Sequence, residues 1–314
     1  MFRVAALAGA AFGARGAAGA GAAGPSPAAP SGDRALRIFN SWSGFCGTMN
    51  DTTFRAAADF LAAELLPSGF DHIVVDGGWY DTAGGPETFD AFGHPTPDPA
   101  KYPSTAGAGG GLRVLADYAH KLGLKFGVWD IRGVPLVAVE GRWPIEGSPY
   151  TADEAVLTTQ NCSWSHVKLG TRPGAAAAAW YASLAAYYRR EGVDYVKMDC
   201  MTGDGRGSGP GAWEGLYTDD FRAFAEAFKA AGVEVSVSPG SSMNPANASW
   251  IAANAYAKHY RITNECATPR RCRRCHRSPP ASHRRCRLTP PPPPPHTHTH
   301  THTPLPTKLL GCME

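Results

Sequence analysis

The chain has 314 residues, 43% of them hydrophobic, enough for one large α/β domain or two small ones around a sizeable core. Its formal net charge of +3 is unevenly placed: residues 266–314 hold eight Arg, one Lys and one Glu, a net +8, and the other 21 basic and 26 acidic residues leave the body at −5. A mildly acidic body excludes the electrostatic footprint of a nucleic-acid-binding domain. No apolar run is long enough for a membrane-spanning helix.

Residues 1–32 contain no acid and are mostly Ala and Gly, with Arg3 and Arg15. Their short apolar block at 4–14 suits a secretory signal or an organelle transit peptide, and equally a disordered low-complexity leader. Either targeting reading implies a secreted, extracytoplasmic or organellar protein. The sequons at Asn50, Asn161 and Asn247 are compatible with that location. Three cysteines (Cys46, Cys162, Cys200) lie in the body, an odd number that offers no tidy disulfide framework.

From residue 36 the chain alternates strand-like and helix-like segments. Residues 37–42 read as a strand. Residues 52–66 read as a helix capped by Asp51 or Thr52, with Phe54, Ala58, Leu61, Ala62 and Leu65 as its apolar stripe. A strand at 72–75 ends at Asp76, and a long Gly/Pro-rich loop follows at 81–110. A helix at 112–122 closes at Gly123, and 125–131 is the next strand. A second long loop spans 133–174. A helix at 175–191 closes at Gly192, and a strand then runs into Asp199. After a Gly-rich loop come a helix at 212–231, a strand at 234–238, a short helix at 245–254 and a last strand at 256–263. Six strand-to-helix steps in order imply parallel pairing, and long loops that all follow strands favour a (β/α) barrel over an open sheet. No phosphate-binding glycine fingerprint follows the first strand, and no cofactor is expected.

In such a barrel, catalytic residues sit at the carboxyl ends of strands. Asp199 ends its strand, with Lys197 two residues earlier on the same pleat face. An acid with a cationic neighbour suits a nucleophile, and a strand-end Asp equally suits a turn cap. Trp42, Trp79 and Trp129 also sit at strand ends, where an indole stacks on a sugar face or fills core.

Taken together, these strand ends resemble glycoside hydrolase family 27, the α-galactosidase family. Asn40-Ser41-Trp42 is similar to the opening motif, whose Trp lines the sugar pocket. Asp76-Gly77-Gly78-Trp79 stands where many members have two acids, a Cys and a Trp; Gly77 replaces the second acid. Residues 97–104 (PDPAKYPS) resemble the P-D-x-x-x-F-P-S signature, and Val196-Lys197-Met198-Asp199 resembles the nucleophile strand. Arg261-Ile262-Thr263-Asn264-Glu265 is similar to the strand end that carries the acid/base, usually R-x-x-x-D. Arg132-Gly133-Val134-Pro135 looks more like a divergent bacterial-type branch. The resemblance covers residues 36–265. It implies a retaining exo-glycosidase that removes terminal α-linked galactose, or a related sugar, by double displacement. Asp199 would be the nucleophile and Glu265 the acid/base. Trp42, Asp76, Trp79, Trp129, Lys197 and Arg261 would bind the sugar, with no metal or cofactor. The alternative is a catalytically silent, incomplete barrel that at most binds carbohydrate.

After Glu265 the pattern collapses into an Arg/Cys/Pro-rich stretch, six prolines at 290–295 and alternating His-Thr at 296–303. That composition supplies no seventh or eighth strand and implies disorder or polyproline II. Cys272, Cys275, His276 and Cys286 carry metal-ligand chemistry without a surrounding folding pattern, so no structural zinc is expected. The tail reads as translated non-coding sequence or a truncated gene model. The expected organisation is therefore a leader (1–32), an incomplete TIM-type (β/α)8 barrel of about six βα units (33–265) and a tail (266–314).

Overall fold

The computed structural model describes residues 36–80, 88–107, 109–162, 165–201, 218–238, 257 and 259–260. Six strands form one parallel sheet in the spatial order β1 (Ile38–Asn40), β2 (His72–Val75), β3 (Lys125–Ile131), β7 (Tyr195–Asp199), β8 (Glu234–Val237) and β9 (His259–Tyr260). Spatial order follows chain order, so each strand is laid down beside its predecessor. This is the incomplete (β/α) barrel expected from the alternation, and β2 and β3 match the expected strands residue for residue.

Elsewhere the bounds shift. A short helix α1 (Trp42–Phe45) takes up Trp42, and β1 stops at Asn40. Helix α2 (Asp51–Phe60) continues through a π turn at Leu61–Leu65 and a 3-10 turn at Leu66–Ser68. Its cap is Asn50, whose side chain accepts the Thr53 N–H while the Thr53 hydroxyl accepts the Asn50 N–H. Asp51 is used differently: its carboxylate accepts the Ser104 N–H at 2.9 Å and Arg55 Nε at 3.0 Å. Helix α3 (Arg113–Lys121) precedes β3, and α5 (Ala175–Arg190) precedes β7. Helix α6 (Thr218–Ala231) precedes β8. The short helix expected at 245–254 lies outside the described residues.

The expected loop at 133–174 is not a loop. It holds a second, antiparallel sheet in the order β4 (Val134–Pro135), β6 (Ser165–Thr171), β5 (Val156–Cys162), with helix α4 (Leu136–Glu140). This excursion is tied to the barrel by a buried ion pair, Lys168 Nζ to Asp130 Oδ1 at 2.5 Å. Tyr188 and Tyr80 hydroxyls donate to the same carboxylate at 2.8 and 3.3 Å.

Alternation along the strands divides the main sheet into two faces. Phe39, Ile73, Val75, Phe126, Val128, Val196, Met198, Val235 and Val237 join the principal core with Phe54 and Leu61, Leu115, Trp180, Leu184, Phe224 and Phe228. The opposite face starts with Ile38, Val74 and Tyr195, a separate apolar cluster. Gly127 lies in that row. A Cβ there would come within 2.9 Å of the Tyr195 ring and 3.0 Å of Val74, so only glycine lets the ring cross the strand.

A Ser–His–Asp chain also lies in this structure: His94 Nε2 meets Ser183 Oγ at 2.8 Å and Nδ1 meets Asp90 Oδ2 at 3.0 Å. His94 is fully buried, stacked on Tyr187 and Trp180, and Ser183 lies mid-helix in α5. No substrate reaches that hydroxyl, so the chain serves to fasten the 88–96 segment to α5.

Candidate active site

Two residues beyond the apolar row, the same face of the sheet turns polar. Strand register aligns Asp76 with Trp129, Lys197 and Ser236, because Val75 pairs with Val128, Trp129 with Lys197, and Lys197 with Ser236. Asp199 lies one pleat further, paired with Ile131. Period-2 geometry therefore brings Asp76, Trp129, Lys197 and Asp199 together at the carboxyl ends of three adjacent strands.

Asp76 is the hub. Its Oδ2 accepts Asn40 Nδ2 at 2.7 Å and Lys197 Nζ at 2.9 Å, and its Oδ1 accepts the Gly77 N–H at 2.7 Å. Asn40 accepts the Trp42 N–H at 2.9 Å, and Ser41 Oγ accepts the Asp76 N–H at 2.8 Å. The first turn after β1 is thus built around one carboxylate. Lys197, expected to serve Asp199, makes its ion pair with Asp76, and the side chains of both partners are about 5% exposed. A pair this buried is held by its hydrogen bonds, and removing either partner strands the other charge.

The Asp199 carboxylate is held differently. Oδ2 accepts the Trp129 indole N–H at 3.1 Å, and Oδ1 accepts the Cys200 N–H at 2.8 Å. Trp129 and Trp42, both half-buried, flank Gly77: a Cβ there would lie 3.5 Å from the Trp42 ring and 3.7 Å from the Trp129 ring. Where a second acid would stand, two indoles meet over a bare backbone. Trp79 takes another position. It is buried, and its indole N–H is spent on the Trp129 carbonyl at 2.7 Å. It supports Trp129 from the core. Asp130, the neighbour of Trp129, points to the opposite, helix-packed side.

The two loops behind Asp76 approach closely. Gly78 has φ +92°, and a Cβ there would lie 2.6 Å from the Gly47 carbonyl oxygen. Lys101, from the 97–104 segment, donates to Gly78 O at 2.5 Å. Cys46 and Cys200 are both disulfide-bonded, which the odd cysteine count did not suggest. Arg261 and Glu265 lie outside the described residues. Sequence reasoning named Asn40 and Arg132 only within motifs and assigned neither a role. Their signal is position: each ends or directly follows a strand at the carboxyl edge of the sheet.

Among the described residues, no group of three or more His, Cys, Asp or Glu could hold a metal ion. No helix among them is long and apolar enough to cross a membrane. A cavity of ≈ 910 Å³ lies elsewhere, lined by Phe89, Pro97, Leu136, Val137, Glu140 and Trp143 among others, and none of the strand-end residues borders it.

No family model matches the chain. Among curated proteins, it is 33% identical over 97 residues to α-galactosidase 3 of Arabidopsis thaliana, covering 31% of this chain and 20% of that one. It is 32% identical over 96 residues to the α-galactosidase of Cyamopsis tetragonoloba, covering 30% and 21%. Among solved structures, it is similar to a family 27 β-L-arabinopyranosidase from Geobacillus stearothermophilus, with TM-score 0.64 and 28% identity. That match covers 73% of this chain and 53% of the other. A variant of the same enzyme is known in complex with arabinose. The chain thus spans about half the length of that solved relative and a fifth of the curated ones. Over this partial span, the chain is similar to α-galactosidases and to a family 27 glycosidase.

Proposed function

We propose that residues 33–265 form the body of a retaining exo-glycosidase that hydrolyses terminal α-linked galactose or a closely related sugar, with residues 1–32 as leader and 266–314 as tail. The observation that carries this reading is the row Asp76, Trp129, Lys197 and Asp199 at the carboxyl ends of adjacent parallel strands. Asp199 attacks the anomeric carbon as the glycosidic bond breaks, and Glu265 gives its proton to the leaving oxygen. Glu265 then takes a proton from water, whose oxygen displaces Asp199 and releases the sugar. The Asp76–Lys197–Asn40 cluster offers donors and acceptors to sugar hydroxyls. Trp42 and Trp129 offer apolar faces to the ring, and Arg261 binds a hydroxyl or orients a carboxylate. Two disulfide-bonded cysteines in the body favour an oxidising, extracytoplasmic location.

A second reading, a barrel that holds carbohydrate without turning it over, is favoured by Glu265, one methylene longer than the Asp expected there. A proton misplaced by roughly 1 Å costs about 100-fold. Both readings are separated by incubating the chain with an activated 2-fluoro galactoside and mapping the labelled peptide. The glycosidase reading expects label on Asp199, none in Asp199→Asn, and azide-enhanced turnover of activated substrates in Glu265→Gln. Sugar binding with no label at any carboxylate supports the silent barrel. Label that persists in Asp199→Asn overturns the nucleophile assignment.

A further inference from the structure

Asp199 has its carboxylate aimed by the residue after it. Cys200 has φ +55°, a left-handed conformation that a side chain disfavours. Just ahead of that turn, the Cys200 N–H donates to Asp199 Oδ1 at 2.8 Å. The turn is held by the disulfide at Cys200 and by Arg132, in the sequence Arg132-Gly133 just past β3. The Arg132 main-chain N–H donates to the Asp199 carbonyl at 3.1 Å, and its Nε donates to the Cys200 carbonyl at 2.7 Å. One arginine therefore grips both carbonyls that flank the Cys200 peptide unit.

The guanidinium is itself fixed. Its Nη1 lies 3.1 Å from Asp220 Oδ2, and both side chains are essentially fully buried. Asp220, on α6, accepts in turn from the Thr171 N–H and hydroxyl at the end of β6 and from the Tyr181 hydroxyl of α5. Burial, with Asp220 beside it, pushes the Tyr181 phenol well above its ordinary pKa, so it stays a donor. The fork geometry of a guanidinium suits this task, since two divergent N–H groups serve a carboxylate and a carbonyl at once, which an ammonium cannot copy.

We infer that Arg132 is a positioning residue that sets the Asp199 carboxylate through the Asp199–Cys200 main chain, anchored by Asp220. The inference rests on the glycosidase reading for its catalytic consequence, and on geometry alone for the clamp. Asp199–Cys200 is the one Asp–Cys peptide bond in the sequence. Labelling the full chain with carbonyl-¹³C aspartate and ¹⁵N cysteine therefore isolates a single amide signal, the Cys200 N–H. In the wild type we expect this amide to be protected from solvent exchange and its shift to follow the Asp199 carboxylate as pH is changed. In Arg132→Lys, which keeps a cation facing Asp220, we expect exchange at least about tenfold faster and loss of that titration, with the urea midpoint showing a folded body. Arg132→Met serves as the stronger variant if it folds. Wild-type protection and titration in Arg132→Lys would overturn the clamp.

The catalytic consequence is read in the same variant. Labelling of Asp199 by the fluorosugar should slow by about 10–100-fold while affinity for the free product sugar stays within twofold or so. Parallel loss of both would overturn the positioning role. If the wild type takes no label, the glycosidase reading falls, and the amide signal still decides the clamp.

Discussion

Replacing Lys168 by Met removes the cation from a fully buried pair. Lys168 Nζ sits 2.5 Å from Asp130 Oδ1 and 5.4 Å from the centre of the Tyr80 ring. Without it, the Asp130 carboxylate keeps the Tyr188 and Tyr80 hydroxyls and the Ile131 N–H, none of which neutralises its charge. An uncompensated buried charge costs about 3–5 kcal/mol. Asp130→Asn strands the ammonium and should cost a similar amount. The double variant Asp130→Asn/Lys168→Met removes both charges, and apolar or neutral replacement of a whole buried pair is often close to neutral. We therefore expect the double variant to be about 2 kcal/mol or more better than the sum of the singles. Urea unfolding followed by tryptophan fluorescence reads this directly. With a slope of about 2–3 kcal/mol/M, each single should lower the midpoint by roughly 1–2 M. A Lys168→Met midpoint within about 0.3 M of wild type, or additive singles, would refute the view that this pair fastens the antiparallel excursion to the barrel.

Gly78→Ala should lower stability by about 2 kcal/mol or more, because φ +92° and the 2.6 Å approach to Gly47 O leave no room for a Cβ. Gly77→Ala should cost under about 1 kcal/mol, since its Cβ meets only the two indoles at ordinary contact distances; equal urea midpoints for the two would contradict this. Burial raises the Asp90 carboxyl, but its bonds with His94 and the Phe92 N–H outweigh that and hold it below 3.8. Burial likewise opposes the Asp51 shift, and Ser104 and Arg55 again bring the carboxyl below 3.8. Lowered folded-state values mean stability that is complete above the unfolded pKa and lost as pH falls through the folded one. Urea midpoints should thus hold above about pH 5 and fall below about pH 4, and the fall should be shallower in the Asp51→Asn/Asp90→Asn double variant. β1 and β9 are the terminal strands of the described sheet, and such edges template pairing with other chains. Sedimentation velocity should therefore show concentration-dependent self-association of the full chain; a monomer at all concentrations tested would contradict it.

Much of the scaffold was legible in the sequence because its signals are local. His72–Val75 and Lys125–Ile131 are short runs rich in β-branched and aromatic residues, bounded by Gly-containing turns, and both strands appear as expected. Strand ends at Asp76 and Asp199 follow from the same punctuation, and alternation already put Lys197 and Asp199 on one face. Three capping residues in a row, Asn50, Asp51 and Thr52, carry no local distinction. Asn50 became the cap because the Asp51 carboxylate is drawn to Ser104 and Arg55, and Ser104 lies 53 residues away. The stretch 133–174 read as loop because β5 and β6 pair with register shifts; what orders them is Lys168 reaching Asp130 across the boundary between sheets.

The partner of Lys197 shows most plainly what tertiary structure alone decided. In sequence its neighbouring acid is Asp199, two residues away. In the sheet, register sets it in one row with Trp129 and Asp76, two strand spacings or roughly 10 Å across, a span its four-carbon stem helps to close. Residue types and alternation determined which face each of these side chains occupies. Which acid met the cation, and which N–H groups met Asp199, depended on the register of strands separated by 121 residues in the chain, and no local pattern encodes that.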